Sequence, residues 1–170
     1  MLSRPDPTEY PEYYHQYVAE VPEGDILGII ERQIRETVDF MTGMGEEKAG
    51  YRYAAGKWSI KEILAHLTDI ERLFQYRCWV FSRNDTTPQP GMEQDDYVAN
   101  GNADGLELGR LIDDYRVTRI GGLSLFRSFD GGMTTRTGVA NGVRFTVRCV
   151  PYILAGHNIH HVNVIKERYL

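Results

Sequence analysis

The histidines of this 170-residue chain are unevenly distributed, and the spacing of those near the C-terminus is that of metal ligands. Three of the five, His157, His160 and His161, lie close together near the C-terminus, and His66 lies far upstream. A helix turns by about 100° per residue, so residues four apart project from nearly the same face, one turn above each other. His157 and His161 can therefore bind one cation together, as the paired histidines of HExxH zinc sites do.

Apolar neighbours predict that three of these imidazoles face a protein core. At helical spacing around His66, His157 and His161 lie Ile63, Leu67, Ile70, Leu154, Val164 and Ile165. A buried imidazole needs partners, because an unsatisfied buried polar group costs a few kcal/mol. One divalent transition metal would satisfy all three, at about 2.0–2.1 Å from each nitrogen for zinc. We predict a metal site of three histidines with positions left open for water or substrate.

The remaining polar residues near these histidines leave alternatives open. His160 projects about 100° away from His161 and should lie at the edge of the same face. Asp69, one turn after His66, could orient an imidazole or act as a base, but an ordinary solvated or salt-bridged carboxylate explains it equally well. Arg77 lies about 16 Å along the helix from His66, too far to share a ligand sphere. We favour pairing of Arg77 with a core carboxylate over contact with an anionic substrate.

Apolar periodicity predicts four helices that position the histidines. They span about 25–41, 59–83, 104–126 and a last segment from 147–151 to the C-terminus. Residues 1–22 are interpreted as an irregular N-terminal arm on a single domain covering 1–170. Residues 84–103 lack a sustained period and favour a long crossover between the second and third helices. Residues 129–145 hold turn dipeptides and predict a hairpin or a loop. The fold class is therefore all-α, a four-helix bundle.

Local signals define the ends and weak points of these helices. Asp25 can cap the first helix, and Ser59 with Glu62 forms a capping box at the start of the second. Pro151 must lie in the first turn of the last helix, because proline lacks the amide donor. The Gly121-Gly122 pair predicts a kink or a close helix contact in the third helix.

Composition excludes several classes of function. The formal net charge is −5, and no block of Lys or Arg is present, which argues against a nucleic-acid binder. No apolar run is long enough for a membrane span, and the N-terminus lacks the apolar region of a secretory signal. Cys78 and Cys149 are far apart and fall among apolar residues, so we interpret them as buried hydrophobes. We expect a cytoplasmic protein.

Two segments resemble motifs of the DinB-like superfamily, which includes YfiT-like metal-dependent hydrolases and bacterial thiol-dependent transferases. They are WSIKEILAHL, from Trp58 to Leu67, and GHNIHH, from Gly156 to His161. The pairs Glu71-Arg72, Tyr76-Arg77 and Pro90-Gly91 extend the resemblance over about residues 25–168.

The resemblance implies a bundle with up-down-down-up helices, frequent homodimers, and metal ligation by His66, His157 and His161. Relatives suggest zinc or nickel, with iron or manganese as alternatives. It further implies an enzyme in which the metal activates water or a low-molecular-weight thiol for hydrolysis or S-transfer on a small electrophilic substrate.

Two other functions remain open at this point. The chain could be a non-catalytic, stress-related bundle that binds a metal or a small ligand. It could also be a structural helical dimer whose core histidines are satisfied without a metal.

Overall fold

Four long helices and a small hairpin make up most of the molecule. The computed structural model describes residues 2–170. Its helices are α1 (His15–Glu20), α2 (Ile26–Thr42), α3 (Glu46–Ala49), α4 (Ile60–Ser82), α5 (Gln94–Ala99), α6 (Leu108–Arg127), α7 (Gly131–Thr134) and α8 (Cys149–Arg168), and its strands are β1 (Thr137–Ala140) and β2 (Val143–Thr146). The strands pair antiparallel, so the segment predicted as a hairpin or a loop contains a hairpin.

The side-chain contacts between helices define the direction of each helix. Partners on α4 and α6 advance together along both helices, as do partners on α2 and α8, whereas partners on α4 and α8, and on α2 and α6, run in opposite directions. For α4 with α6 the pairs are Lys61–Leu106 and Gln75–Thr118, and for α2 with α8 they are Gln33–Ala155 and Thr37–Asn158. For α4 with α8 they are Trp58–Tyr169 and Cys78–Val147, and for α2 with α6 they are Glu31–Arg127 and Gln33–Arg119. Some of these residues flank the helices. The predicted up-down-down-up bundle is therefore confirmed.

Two parallel neighbours, α4 and α6, require the chain to return along the bundle between them. Residues 83–107 make this crossover and include the short helix α5. The crossover is fastened to the hairpin, because the Gln89 amide donates to the Val139 carbonyl at 2.9 Å and the Asn141 amide donates to the Gln89 carbonyl at 3.0 Å. The six residues of α5 are too few to give a helical period in the sequence.

The predicted starts of the first, second and last long helices agree with the structure, whereas α6 begins at Leu108 rather than near residue 104. The Ser59 hydroxyl accepts from the Glu62 amide at 3.1 Å, and the Glu62 carboxylate accepts from the Ser59 amide at 2.7 Å. Pro151 is the third residue of α8. Helix α6 runs through its glycine pair, where a Cβ on Gly122 would lie 2.4 Å from the Gln75 side chain. Gly122 therefore allows the close contact of α6 with α4.

The N-terminal arm differs from the prediction, because it contains regular structure. Helix α1 lies within the arm and packs on α8, with Tyr17 and Val18 buried. A Cβ on Gly156 would lie only 1.9 Å from the Tyr17 carbonyl oxygen, so the two backbones touch where α8 has no side chain. An isolated helix of this length is unstable, and packing on the bundle stabilises it. Sequence periodicity could not reveal it.

The core is mainly apolar, and both cysteine thiols lie in it. Cys78 and Cys149 are fully buried and unpaired, as predicted. Burial raises the pKa of the Cys149 thiol to about 12, which keeps it protonated and unreactive at neutral pH. Across residues 2–170, no helix combines the length and the apolar character needed to cross a membrane.

An ion pair joins the arm to the segment before α8. The Glu9 carboxylate accepts from the Arg148 Nε at 2.7 Å and from the Thr146 hydroxyl at 2.8 Å. These donors, Arg148 first, lower the pKa of Glu9 from 4.5 to about 2. The folded pKa lies below the unfolded one, so the stabilisation is complete above about pH 4.5 and is lost as the pH falls towards 2.

We expect Glu9→Gln to lower the free energy of unfolding at pH 7 by about 1–3 kcal/mol, because it removes charge-assisted hydrogen bonds. The difference from the parent protein should shrink by roughly half by pH 3. Urea unfolding at both pH values measures it, with the exposed Glu12→Gln as the control. A difference that does not change with pH would contradict this account of the arm.

Candidate metal centre

Antiparallel packing of α4 against α8 brings three histidines together inside the bundle. His66 lies in the second turn of α4, and His157 and His161 lie one turn apart on α8. The His157 Nε2 is 3.2 Å from the His66 Nε2 and 3.1 Å from the His161 Nε2. The structure thus brings together all three residues that the sequence predicted as ligands.

The three imidazoles cannot satisfy one another. In a neutral imidazole, Nε2 either donates one proton or accepts through one in-plane lone pair. The Nε2 of His157 faces two other Nε2 atoms, so one good N–H···N bond leaves the third nitrogen without an equal partner. His66 and His157 are only 2% and 7% exposed, so water has little access to these two imidazoles, whereas His161 is half-buried and borders a cavity.

Burial keeps these imidazoles neutral. It lowers the pKa of His66 from 6.5 to about 4. Burial, followed by the neighbouring His66 and His160, lowers the pKa of His161 to about 3. The pKa of His157 is also well below its ordinary value, for the same reasons. Neutral imidazoles carry the free lone pairs that a metal ligand requires.

Two of the three distances between the nitrogens fit a shared metal ion. Candidate donor atoms of His66, His157 and His161 all lie within 4.8 Å of one another. Two nitrogens that are each about 2.0–2.1 Å from a zinc ion lie roughly 3–3.4 Å apart at tetrahedral or octahedral angles. The two short Nε2–Nε2 distances, 3.1 and 3.2 Å, fall in this range. Within the described part of the chain, no thiolate or carboxylate belongs to the same group.

Two aromatic side chains cover the histidine cluster. The Trp58 ring lies 4.8 Å from the His66 ring and stacks over His161 at 6.4 Å with an interplanar angle of 18°. The Tyr17 ring meets His157 edge-on at 5.3 Å. The sequence identified Trp58 only as the first residue of the WSIKEILAHL segment, and it gave no role to Tyr17. Both rings restrict the orientations that the imidazoles can adopt.

A buried ion pair, which the sequence analysis missed, links the helices that carry the site. Arg119 of α6 pairs with Glu71 of α4, and their side chains are 1% and 4% exposed. Arg119 also donates to the Gln33 side chain of α2 at 2.8 Å, and Gln33 donates to the Ala155 carbonyl of α8 at 3.1 Å. Removing one member of a buried pair costs about 3–5 kcal/mol, so this network holds the four helices in register.

Each histidine of the cluster borders a different cavity. A cavity of about 660 Å³ is bordered by His161, His160 and Trp58. A second, of about 450 Å³, is bordered by His157. A third, of about 230 Å³, is bordered by His66 and Asp69. The first two are in the size range of small-molecule sites, so a ligand has room to approach the cluster from two sides.

The structure does not bring Asp69 or Arg77 onto the histidine nitrogens. The Asp69 carboxylate pairs with Arg72 at 3.4 Å, and its side chain is 40% exposed. Its function as a base remains a prediction. His160 lies at the edge of the site, as expected, with its ring 5.1 Å from that of His161.

The predicted pairing of Arg77 with a core carboxylate is wrong, because Arg77 forms no ion pair with any carboxylate of residues 2–170. The buried carboxylate of the same helix, Glu71, is committed to Arg119. Arg77 instead donates to the Pro90 carbonyl of the crossover at 2.6 Å.

Comparison with known proteins agrees with this architecture. No curated protein has a significant sequence match to this chain. The fold is similar to the solved structure of YfiT from Bacillus subtilis, described as a probable metal-dependent hydrolase with an unusual four-helix bundle topology. The TM-score is 0.71 at 14% sequence identity, over 97% of this chain and 90% of that chain. The sequence profile of the DinB superfamily matches residues 29–165. The chain therefore belongs to the DinB superfamily.

Proposed function

We propose that His66, His157 and His161 hold a divalent transition metal, and that the protein is a metal-dependent enzyme acting on a small electrophilic molecule. The observation that carries the proposal is the convergence of three Nε2 atoms, those of the buried His66 and His157 and the half-buried His161, with separations of 3.1 and 3.2 Å about His157. The similarity to a fold described as that of a probable metal-dependent hydrolase supports it.

The donor set limits the choice of metal and the kind of site. Imidazole is a common ligand of zinc, nickel and iron, and three histidines without a thiolate are typical of catalytic rather than structural sites. We favour zinc or nickel, with iron or manganese as alternatives. A divalent metal supplies Lewis-acid chemistry, which makes water or a thiol a competent nucleophile near neutral pH.

The residues of the chain would prepare the site for this chemistry. Burial of His66 and His157 keeps their imidazoles neutral and limits the access of bulk water. Trp58 and Tyr17 hold the rings in place by aromatic contacts. The cavities beside His161 and His157 leave two sides of the cluster accessible to a nucleophile and a small substrate. Hydrolysis by water and S-transfer from a low-molecular-weight thiol both begin from this arrangement.

We expect the native protein to contain close to one divalent metal ion per chain, and His66→Ala/His161→Ala to lose it, because a single remaining imidazole binds a metal weakly. Elemental analysis after gentle purification measures the content. The matched control is His15→Ala, because His15 is exposed and lies outside the cluster. A metal-free native protein, or a double variant that retains the ion, would contradict the proposal.

We also expect the metal-loaded protein to accelerate either hydrolysis of an activated ester, such as p-nitrophenyl acetate, or the reaction of chlorodinitrobenzene with a thiol. The rate should fall at least a hundredfold in His66→Ala/His161→Ala, because the Lewis acid is lost. Absorbance assays with and without thiol distinguish the two reactions. A rate equal to that of the double variant on a broad panel of electrophiles would favour a non-catalytic metal-binding protein.

A further inference from the structure

Arg77 is a buried cation without a carboxylate partner. It is only 4% exposed, and no carboxylate lies within ion-pair distance of it among residues 2–170. Arg4 and Arg119 also have a buried Nε that makes no hydrogen bond, but Arg4 pairs with Glu23 and Arg119 with Glu71. The Nε of Arg77 also makes no hydrogen bond, but Arg77 has no carboxylate partner of this kind.

The other contacts of Arg77 do not neutralise its charge. Its Nη2 donates to the Pro90 carbonyl at 2.6 Å, and its guanidinium lies 5.1 Å from the centre of the Phe74 ring. A carbonyl oxygen and an aromatic face stabilise a cation but carry no net charge. Burial accordingly lowers the pKa of Arg77. An arginine still stays protonated at neutral pH, so this site holds an uncompensated positive charge that a bound anion would neutralise.

Arg77 borders the 450 Å³ cavity that reaches His157. The remaining inner wall is mainly apolar and aromatic, and includes Tyr14, Phe74 and Phe145. Glu93 lies at the exposed rim and forms no ion pair with Arg77. An apolar cavity with one charged group that orients the ligand is a common form of small-molecule site.

We propose that this cavity binds the carboxylate of a small aromatic or branched apolar acid at Arg77. A planar guanidinium matches the two oxygens of a carboxylate, and one buried cation balances one negative charge better than the two of a phosphate. His157 borders the same cavity as Arg77, so the apolar end of an acid bound at Arg77 can extend towards the histidine cluster. The binding of the acid is independent of the proposed function, whereas its role as a substrate rests on that function.

Isothermal titration calorimetry with benzoate and benzamide tests the proposal on the purified, metal-containing protein. These two probes have the same shape and differ in charge. We expect benzoate to bind at least tenfold more tightly than benzamide, and Arg77→Met to abolish this preference, because the charge-assisted hydrogen bonds are lost. The control, Arg110→Met, removes an exposed arginine and should change nothing.

A second variant separates this site from the metal. His66→Ala/His161→Ala should keep the preference for benzoate, because neither residue borders the cavity. If the preference disappears with the ion, benzoate binds the metal and the Arg77 proposal is wrong. If this variant keeps its ion while Arg77→Met loses benzoate, the metal assignment fails and the Arg77 site stands.

The remaining outcomes also decide the question. Equal affinity for benzoate and benzamide in the native protein overturns the proposal, as does unchanged benzoate affinity in Arg77→Met. Should Arg77→Met fail to fold, Arg77→Lys replaces it, because lysine keeps the charge without the planar donors. We then expect a severalfold loss of benzoate affinity with no change for benzamide, and an unchanged benzoate affinity would overturn the proposal.

Discussion

Three neutral imidazoles meet inside this bundle without enough protons or lone pairs to satisfy one another. The Nε2 of His157 faces those of His66 and His161, and burial of His66 and His157 limits the water that could otherwise complete their hydrogen bonds. A cation bound to all three nitrogens resolves this conflict, whereas an empty cluster leaves it as a cost of a few kcal/mol.

The bundle topology makes this convergence possible. Histidines on α4 and α8 meet because these helices pack against each other, and the parallel direction of α4 and α6 requires the long crossover. The buried Arg119–Glu71 pair, extended through Gln33 to the backbone of α8, connects all four long helices beside the cluster. Gly156 lets the arm approach α8, which places Tyr17 against His157. The contacts that hold the helices and the arm together therefore also position the histidines.

Local signals were enough to predict the long helices and the inward direction of each histidine, because a capping box, apolar stripes and i,i+4 spacing act within one helix. The meeting of His66 with the histidine pair of α8 was predicted from the need of buried imidazoles for partners. Contacts between distant segments were not predictable in the same way. Helix α1 is too short to show a period, and its stability comes from packing on α8. The Arg119–Glu71 pair joins residues far apart in the chain, although a charged residue on each apolar stripe was an available signal. The sequence assigned a carboxylate partner to Arg77 wrongly, because only the tertiary structure shows that Glu71 pairs with Arg119.

The most direct test of the central claim is X-ray absorption spectroscopy at the metal edge of the native, gently purified protein. We predict a first shell that contains three imidazole nitrogens, at about 2.0–2.1 Å for zinc, with one or more further light-atom ligands from solvent. A first shell that contains sulfur, or fewer than three imidazoles, would contradict the assignment of His66, His157 and His161 as the metal ligands.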